Sequence, residues 1–245
     1  MLKPLSLPQH LLHHQDGELA QAFGVLCWNT QKKTLDRRFQ HRLWMLMHQY
    51  PAQMLLLQEA KLPQQQKLNL AGLSYAMAPN IQTPRHHFGV LTASSAAFDQ
   101  MEPLLSRTRE LRFATHKSAM LSWHRLASGQ PLLVANVHAV NFVHHKRFLG
   151  EMEGLMTRLG EHRGPMVVAG DFNVWSPRRQ HYLKAFSQEL GLAQAVMEDA
   201  HHIKSLFRRP LDFIFYRGLK LEMATAIDTD VVSDHNPIYA RFQQL

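Results

Sequence analysis

A chain of 245 residues with 45% apolar side chains can fill one large domain around a sizeable core. Its formal charge of +8, with histidines neutral, favours polyanionic partners: nucleic acid, anionic lipid headgroups or phosphate esters. No segment nears the roughly 18 consecutive apolar residues of a membrane span, and a single cysteine, Cys27, excludes an intramolecular disulfide.

Met1 to Gln21 holds Pro4 and Pro8 but no apolar block long enough for a signal peptide. A loosely held extension over 1–22 and a single domain over 23–245 are expected, in a reducing, cytoplasmic setting. Phe23 to Trp28 has the apolar density of a buried strand and ends at Asn29. Asp36 to Tyr50 sets Phe39, Leu43, Leu46, Met47 and Tyr50 on one face, which predicts a helix, and Pro51 stops it. Met54 to Leu57 is the next buried strand, ending at Gln58-Glu59, so the stretch reads as a βαβ unit with parallel strands. Gly89 to Thr92, Ala119 to Trp123 and Leu132 to Val137 are short apolar runs that predict antiparallel strands. Phe148, Met152, Leu155, Met156 and Leu159 mark a second amphipathic helix. Met166 to Ala169 forms a strand that leads into Gly170-Asp171-Phe172-Asn173. A third helix is predicted from Arg178 to Leu190, with Tyr182, Leu183, Phe186 and Leu190 inward. Strands over 212–216, 219–227 and 238–242 close the chain. Parallel and antiparallel strands with helices between them imply an α/β molecule of packed sheets flanked by helices.

Polar residues gather where these apolar runs end. Asp171 and Asn173 follow a strand too apolar to face water, which presents a carboxylate and a carboxamide at one rim of a sheet. Glu59 ends a fully apolar run, where a carboxylate is costly unless solvated, paired or bound to a cation. Hard divalent ions such as Mg²⁺ take oxygen ligands of this kind. Alternation puts Asn136 and His138 on one side of an extended segment, with Asn141 just beyond. Asp212 opens an apolar strand and needs a partner; His235, after Asp234, is a candidate whose ring an aspartate would orient. With seventeen histidines in the chain, several must be ordinary. Phosphate-ester hydrolysis needs a metal, a base for water and donors for developing charge, and these residue types supply all three. No Cys cluster or HExxH helix points to zinc. A phosphate-binding Gly-rich Lys loop and a Gly-x-Ser-x-Gly elbow are both missing.

With Asn29, Gln58-Glu59, Asn136 to Asn141, Gly170 to Ser176, Arg209 to Phe213 and Ser233 to Pro237 in this order, the chain resembles the endonuclease/exonuclease/phosphatase superfamily, from about Phe23 to Phe242. Val137 to Phe142, Gly170 to Ser176 and Arg209 to Phe213 are closest to its bacterial YafD-like branch. The resemblance implies a DNase I-like four-layer sandwich of two mixed β-sheets flanked by helices. It implies Glu59 as principal Mg²⁺ ligand, with Mn²⁺ as a substitute, Asn29 beside the metal or its waters, and Asp234 as a second metal-side or water-bridging carboxylate. It makes His235 the general base or a phosphate-contacting acid, paired to Asp212. Asp171 and Asn173 would position water and a phosphate oxygen, His138 would donate to the scissile phosphate, and Asn141 would help bind phosphate.

The first expectation for substrate is nucleic acid. Lys32-Lys33, His144 to Arg147, Arg178-Arg179 and Arg208-Arg209 flank the site motifs and suit a phosphate backbone, and Trp175 suits stacking on a base. The alternative is a phosphorylated small molecule or a phosphoinositide or sphingolipid headgroup, although no long apolar insertion for membrane docking is present. A non-catalytic binding module is the third class. Nothing in the candidate set requires a second subunit.

Overall fold

The computed structural model describes residues 4, 6, 8, 10–13, 17–65, 68–110 and 115–245. Strands β1 (Ala22–Asn29) and β2 (Met54–Pro63) are parallel, joined by helix α1 (Arg37–Gln49). Asp36 caps α1 by accepting from the Arg38 N–H, and Phe39, Leu43 and Leu46 are its buried face. β3 (Ser74–Gln82) and β4 (His86–Ser94) follow, then β5 (Gln100–Leu105), β6 (Ser118–Arg125) and β7 (Pro131–His138). Helix α2 (His145–Gly160) carries the chain to β8 (Met166–Asp171), which lies parallel to β7. Helix α3 (Pro177–Glu189) starts with a Ser176 cap and Pro177 in its first turn. The remaining strands are β9 (Ala193–Gln194), the β10 (Ser205–Leu206) and β11 (Arg209–Pro210) hairpin, β12 (Asp212–Arg217), β13 (Leu219–Ala226) and β14 (Ile238–Gln244).

These strands form two six-stranded mixed sheets, ordered β13-β14-β1-β2-β4-β3 and β5-β6-β7-β8-β12-β9. Alternation along each strand builds three apolar layers. Val25, Leu56, Val134, Val167 and Ile238 meet between the sheets. Leu55 and Leu57 face the other way, with Trp28, Phe39 and Leu43 of the α1 layer. Val168, Phe148, Leu155, Leu183 and Phe213 form the layer under α2 and α3. The result is the expected helix–sheet–sheet–helix sandwich of the DNase I-like type.

Three departures from the sequence expectation have physical causes. β3 and β5 were not anticipated: both are edge strands carrying a proline, Pro79 and Pro103, which an edge tolerates. β2 does not end at Glu59 but runs on to Pro63, with a register shift against β4 between Leu57 and Ala60. The expected loose extension is anchored where it is described. Leu11 and Leu19 are buried and bridge to Tyr75 and Leu126, whereas residues 1–3, 5, 7, 9 and 14–16 lie outside the described residues.

Gly170 permits the approach that brings the site together. Its φ is +148°, and a Cβ there would lie 1.8 Å from the Val137 carbonyl oxygen. Only glycine lets β8 press against β7 at this point.

Candidate active site

The sheet registers align the site. His138 pairs with Asp171 across β7–β8, and Asp212 pairs with Asp171 across β8–β12. Three adjacent strands thus deliver one imidazole and two carboxylates at one level. The facing sheet supplies Asn29 from the end of β1 and Glu59 from β2. Glu59 sits in the β2 bulge at φ +48°, and a bulge re-aims a side chain that alternation would otherwise send elsewhere. The loop carrying His235 is tied to β1: Trp28 Nε1 donates to the His235 carbonyl at 2.8 Å, and Ser233 Oγ donates to the Asn29 carbonyl at 2.7 Å.

Asp212 Oδ2 lies 2.8 Å from His235 Nδ1, and His235 Nε2 lies 3.9 Å from Asp171 Oδ2. Asn29 Nδ2 crosses between the sheets to donate to Asp171 Oδ2 at 3.1 Å, and the Asn173 N–H donates to Asp171 Oδ1 at 3.0 Å. His138 Nε2 is 3.6 Å from Asp171 Oδ2 and 3.9 Å from Glu59 Oε1. Glu59, Asp171 and His235 therefore share one cluster. Burial opposes the charge on His235, but Asp212 and then Asp171 overcome it and raise its pKa to about 9. Burial, reinforced by Asp212, pushes Asp171 up to about 7. Burial and the Lys117 ammonium hold His138 well below its ordinary value, so its ring is neutral.

The endonuclease/exonuclease/phosphatase family model matches residues 26–235, a span that contains every one of these side chains. The chain belongs to that family. A UPF0294 protein of Yersinia pseudotuberculosis is 38% identical over 199 residues, covering 78% of this chain and 73% of that protein. Among solved structures, the human Nocturnin catalytic domain with bound sulfate is similar at a TM-score of 0.67 and 19% identity, covering 92% of this chain and 96% of that one. D. rerio TDP2 complexed with single strand DNA product is similar at a TM-score of 0.64 and 15% identity, covering 92% and 100%. These structural likenesses are likenesses of fold.

The donor set of this family member suits a hard divalent cation. One ligand atom each from Asp171, Asp212 and His235 falls within 4.8 Å of the others, and Asp212 Oδ1 is buried with no partner. His235 Nδ1 is already committed to Asp212, which leaves its Nε2 facing Asp171. Glu59, with a side chain 25% exposed, adds a carboxylate at the more open side. Carboxylate oxygens with no thiolate suit a hard divalent cation rather than a soft metal.

Other expected residues fall at the margins. Asp234 is exposed and lies 3.6 Å from Lys204 Nζ. Asn141 Oδ1 accepts from Trp175 Nε1 at 2.8 Å, which ties the indole edge to the loop after β7. Arg178 is exposed, but Arg179 is fully buried and cannot track a phosphate backbone. Its guanidinium donates to the carbonyls of Val140, Asn141, Val143 and Asn173 and lies over the Phe148 and Trp175 rings.

Lys117 and Glu110 were missed by sequence reasoning. Lys117 Nζ lies 2.9 Å from His138 Nε2, and 3.7 Å from both Glu59 Oε1 and Glu110 Oε2. An ammonium has no lone pair, so Nε2 of the neutral His138 accepts. The cation available to an anion here is thus Lys117, and His138 holds it. A lysine two residues before an apolar run offered the only signal, and most such lysines are solvated.

Proposed function

We propose that this protein is a divalent-metal-dependent nuclease that hydrolyses phosphodiester bonds in DNA or RNA by in-line attack of an activated water. The observation carrying this is the convergence of Glu59, Asp171, Asp212, His138 and His235 in one cluster built from both sheets. Mg²⁺, or Mn²⁺ in its place, held by Glu59 and Asn29 would neutralise charge on the scissile phosphate. Asp171 and Asn173 position the attacking water, and Asp171 takes its proton. His235, protonated through its pairing with Asp212, donates to a phosphate oxygen. Lys117, steadied by His138, adds a second positive donor for the charge that develops in the transition state. Asn141 and Arg178 border the substrate path, and Asp234 adds a carboxylate on the metal side or a bridge through water.

Two further features support nucleic acid as substrate: the net charge of +8 and the basic loops beside the site motifs. The similar D. rerio TDP2 structure carries a single strand DNA product. Incubation with labelled DNA and RNA should give cleavage that needs Mg²⁺ and stops with EDTA. Glu59→Gln and His235→Ala should each lose roughly 10²- to 10⁴-fold in kcat/KM while keeping the wild-type circular dichroism spectrum. Wild-type turnover in both variants would remove these residues from the mechanism.

One observation favours a second reading, a phosphodiesterase acting on a lipid headgroup. A cavity of about 290 Å³ lies beneath α2, walled by Leu104, Ala119, Phe148 and Met152 and bordered by Lys117 and His138. Gly150 and Gly154 leave it open, since a Cβ at either would meet nothing within 4 Å. An apolar substituent of a phosphate ester would fit there. Hydrolysis of sphingomyelin or a phosphoinositide, with no action on any nucleic acid, would select this reading over the first.

A further inference from the structure

The β10–β11 hairpin pairs Ser205 with Pro210 and Leu206 with Arg209, so Phe207-Arg208 is a two-residue turn. Both residues are left-handed, with φ of 52° and 63°. Such turns are ordinarily filled by Asn-Gly or Gly-Gly, and a bulky side chain there is strained. Phe207 is nonetheless 68% exposed. A large apolar ring mostly in water on a left-handed backbone is an unfavourable arrangement, and such combinations gather at functional positions.

The tip is backed by a rigid support. The Phe207 ring meets Trp175 edge-on, with centroids 6.2 Å apart and planes at 62°. Trp175 is locked by its bond to Asn141 and by the Arg179 guanidinium 4.7 Å from its ring. Trp175 stands two residues beyond Asn173, and Phe207 stands five before Asp212, so the pair lies along the chain segments that enter and leave the site. Arg178 and Arg208 are exposed on the same segments, and Phe142, next to Asn141, is 55% exposed.

We infer that Phe207, braced by Trp175, is a stacking shelf for an unpaired nucleobase, so that the substrate is a single strand or an unpaired end. This deepens the nuclease reading and rests on it. A base inside a duplex has both faces covered by its neighbours, whereas an unpaired base can turn a face onto Phe207. Arg178 and Arg208 are placed to neutralise the phosphates on either side. Single exposed aromatics interleaved with cations are the pattern of strand-binding grooves. Bilayer insertion instead needs one broad apolar face.

The test is a fluorescence-anisotropy titration of a labelled oligothymidylate, and of a duplex of equal length, in EDTA. Wild type should bind the single strand more tightly. Phe207→Ala should weaken that binding about tenfold or more, with a smaller effect on the duplex, and Phe207→Trp should retain it. Phe207→Gly should lose the same affinity yet melt no lower than wild type, because glycine is at ease at positive φ; this separates the ring from the fold. Unchanged affinity in Phe207→Ala, or equal losses on single strand and duplex, overturns the shelf. So does wild-type preference for vesicles of anionic phospholipid that the same variant abolishes. Cleavage of DNA or RNA by wild type in Mg²⁺ is scored separately. Cleavage with no Phe207 effect removes the shelf alone, whereas neither binding nor cleavage removes the nuclease reading with it.

Discussion

His235 shows how a single residue links fold and chemistry. Its pKa is a contest between burial, which lowers it, and the carboxylates of Asp212 and Asp171, which win and bring it to about 9 from an ordinary value of 6.5. The folded protein therefore holds this proton more tightly than the unfolded chain. That contribution to stability is complete below about pH 6.5 and is lost as pH rises through about 9. Asp171, raised from 3.8 to about 7, has the same sign but acts between about pH 4 and 7. Buried His124, lowered to about 4, acts with opposite sign below pH 6.5. Between about pH 7 and 8 the slope is that of His235; nearer pH 9 the buried Cys27 thiol, raised by burial above its ordinary value of 9.0, adds to it with the same sign. In EDTA, the wild-type Tm should fall between about pH 7 and 8, and His235→Asn should flatten that slope. A wild-type Tm independent of pH in this range would show that His235 is neutral. That Asp212 and His235 are partners was legible in the sequence, because an acid opening an apolar strand needs one. That Lys117, rather than His138, offers the cation was not legible, because it depends on where the β6 end meets the β2 bulge.

At the scale of elements, Arg179 does the work that the sequence assigned to a surface. It lies in the first turns of α3 and gathers four backbone carbonyls from the loops after β7 and β8. Those loops carry Asn141, Asn173 and Trp175. Arg179→Met keeps the bulk but leaves these carbonyls without donors, which should cost about 2–4 kcal/mol. Arg179→Lys should recover only part, since one ammonium cannot reproduce a planar fork. Urea denaturation measures both, and full stability in Arg179→Met would mean that water satisfies the carbonyls. Arg178-Arg179 reads as an exposed basic pair because nothing in a dipeptide says which member faces inward. By contrast, α1 and α3 were legible almost to the residue, since the apolar period that marks each helix acts locally. Strands β3 and β5 were missed for the converse reason: pairing at a sheet edge makes Pro79 and Pro103 tolerable, and edge position is a property of the sheet.

At the scale of the molecule, the two sheets are joined by polar as well as apolar contacts. Asn136 Oδ1 accepts from Gln58 Nε2 at 2.7 Å, and Asn136 Nδ2 donates to the Leu91 carbonyl at 2.9 Å, all fully buried. Asn136→Ala should cost about 2–3 kcal/mol by removing the partner of one Gln58 N–H, whose other bond goes to the Leu56 carbonyl, and the side-chain donor to the Leu91 carbonyl. Guanidinium denaturation reads the loss, and an unchanged midpoint would mean that this polar link adds nothing to the apolar packing between the sheets. No helix among the described residues is long and apolar enough to cross a membrane. Both sheets bury their inner faces on each other and their outer faces under helices. The sequence by itself determined the sandwich class and the set of acids, amides and imidazoles standing at apolar strand ends, because strand burial is written in local composition and period. Only the tertiary structure decided that Glu59 sits on a bulge, that Lys117 and Glu110 join the cluster, that Arg179 is internal and that Phe207 is exposed. Each of these depends on which distant segments approach one another, and that choice is made by the packing of the whole sandwich.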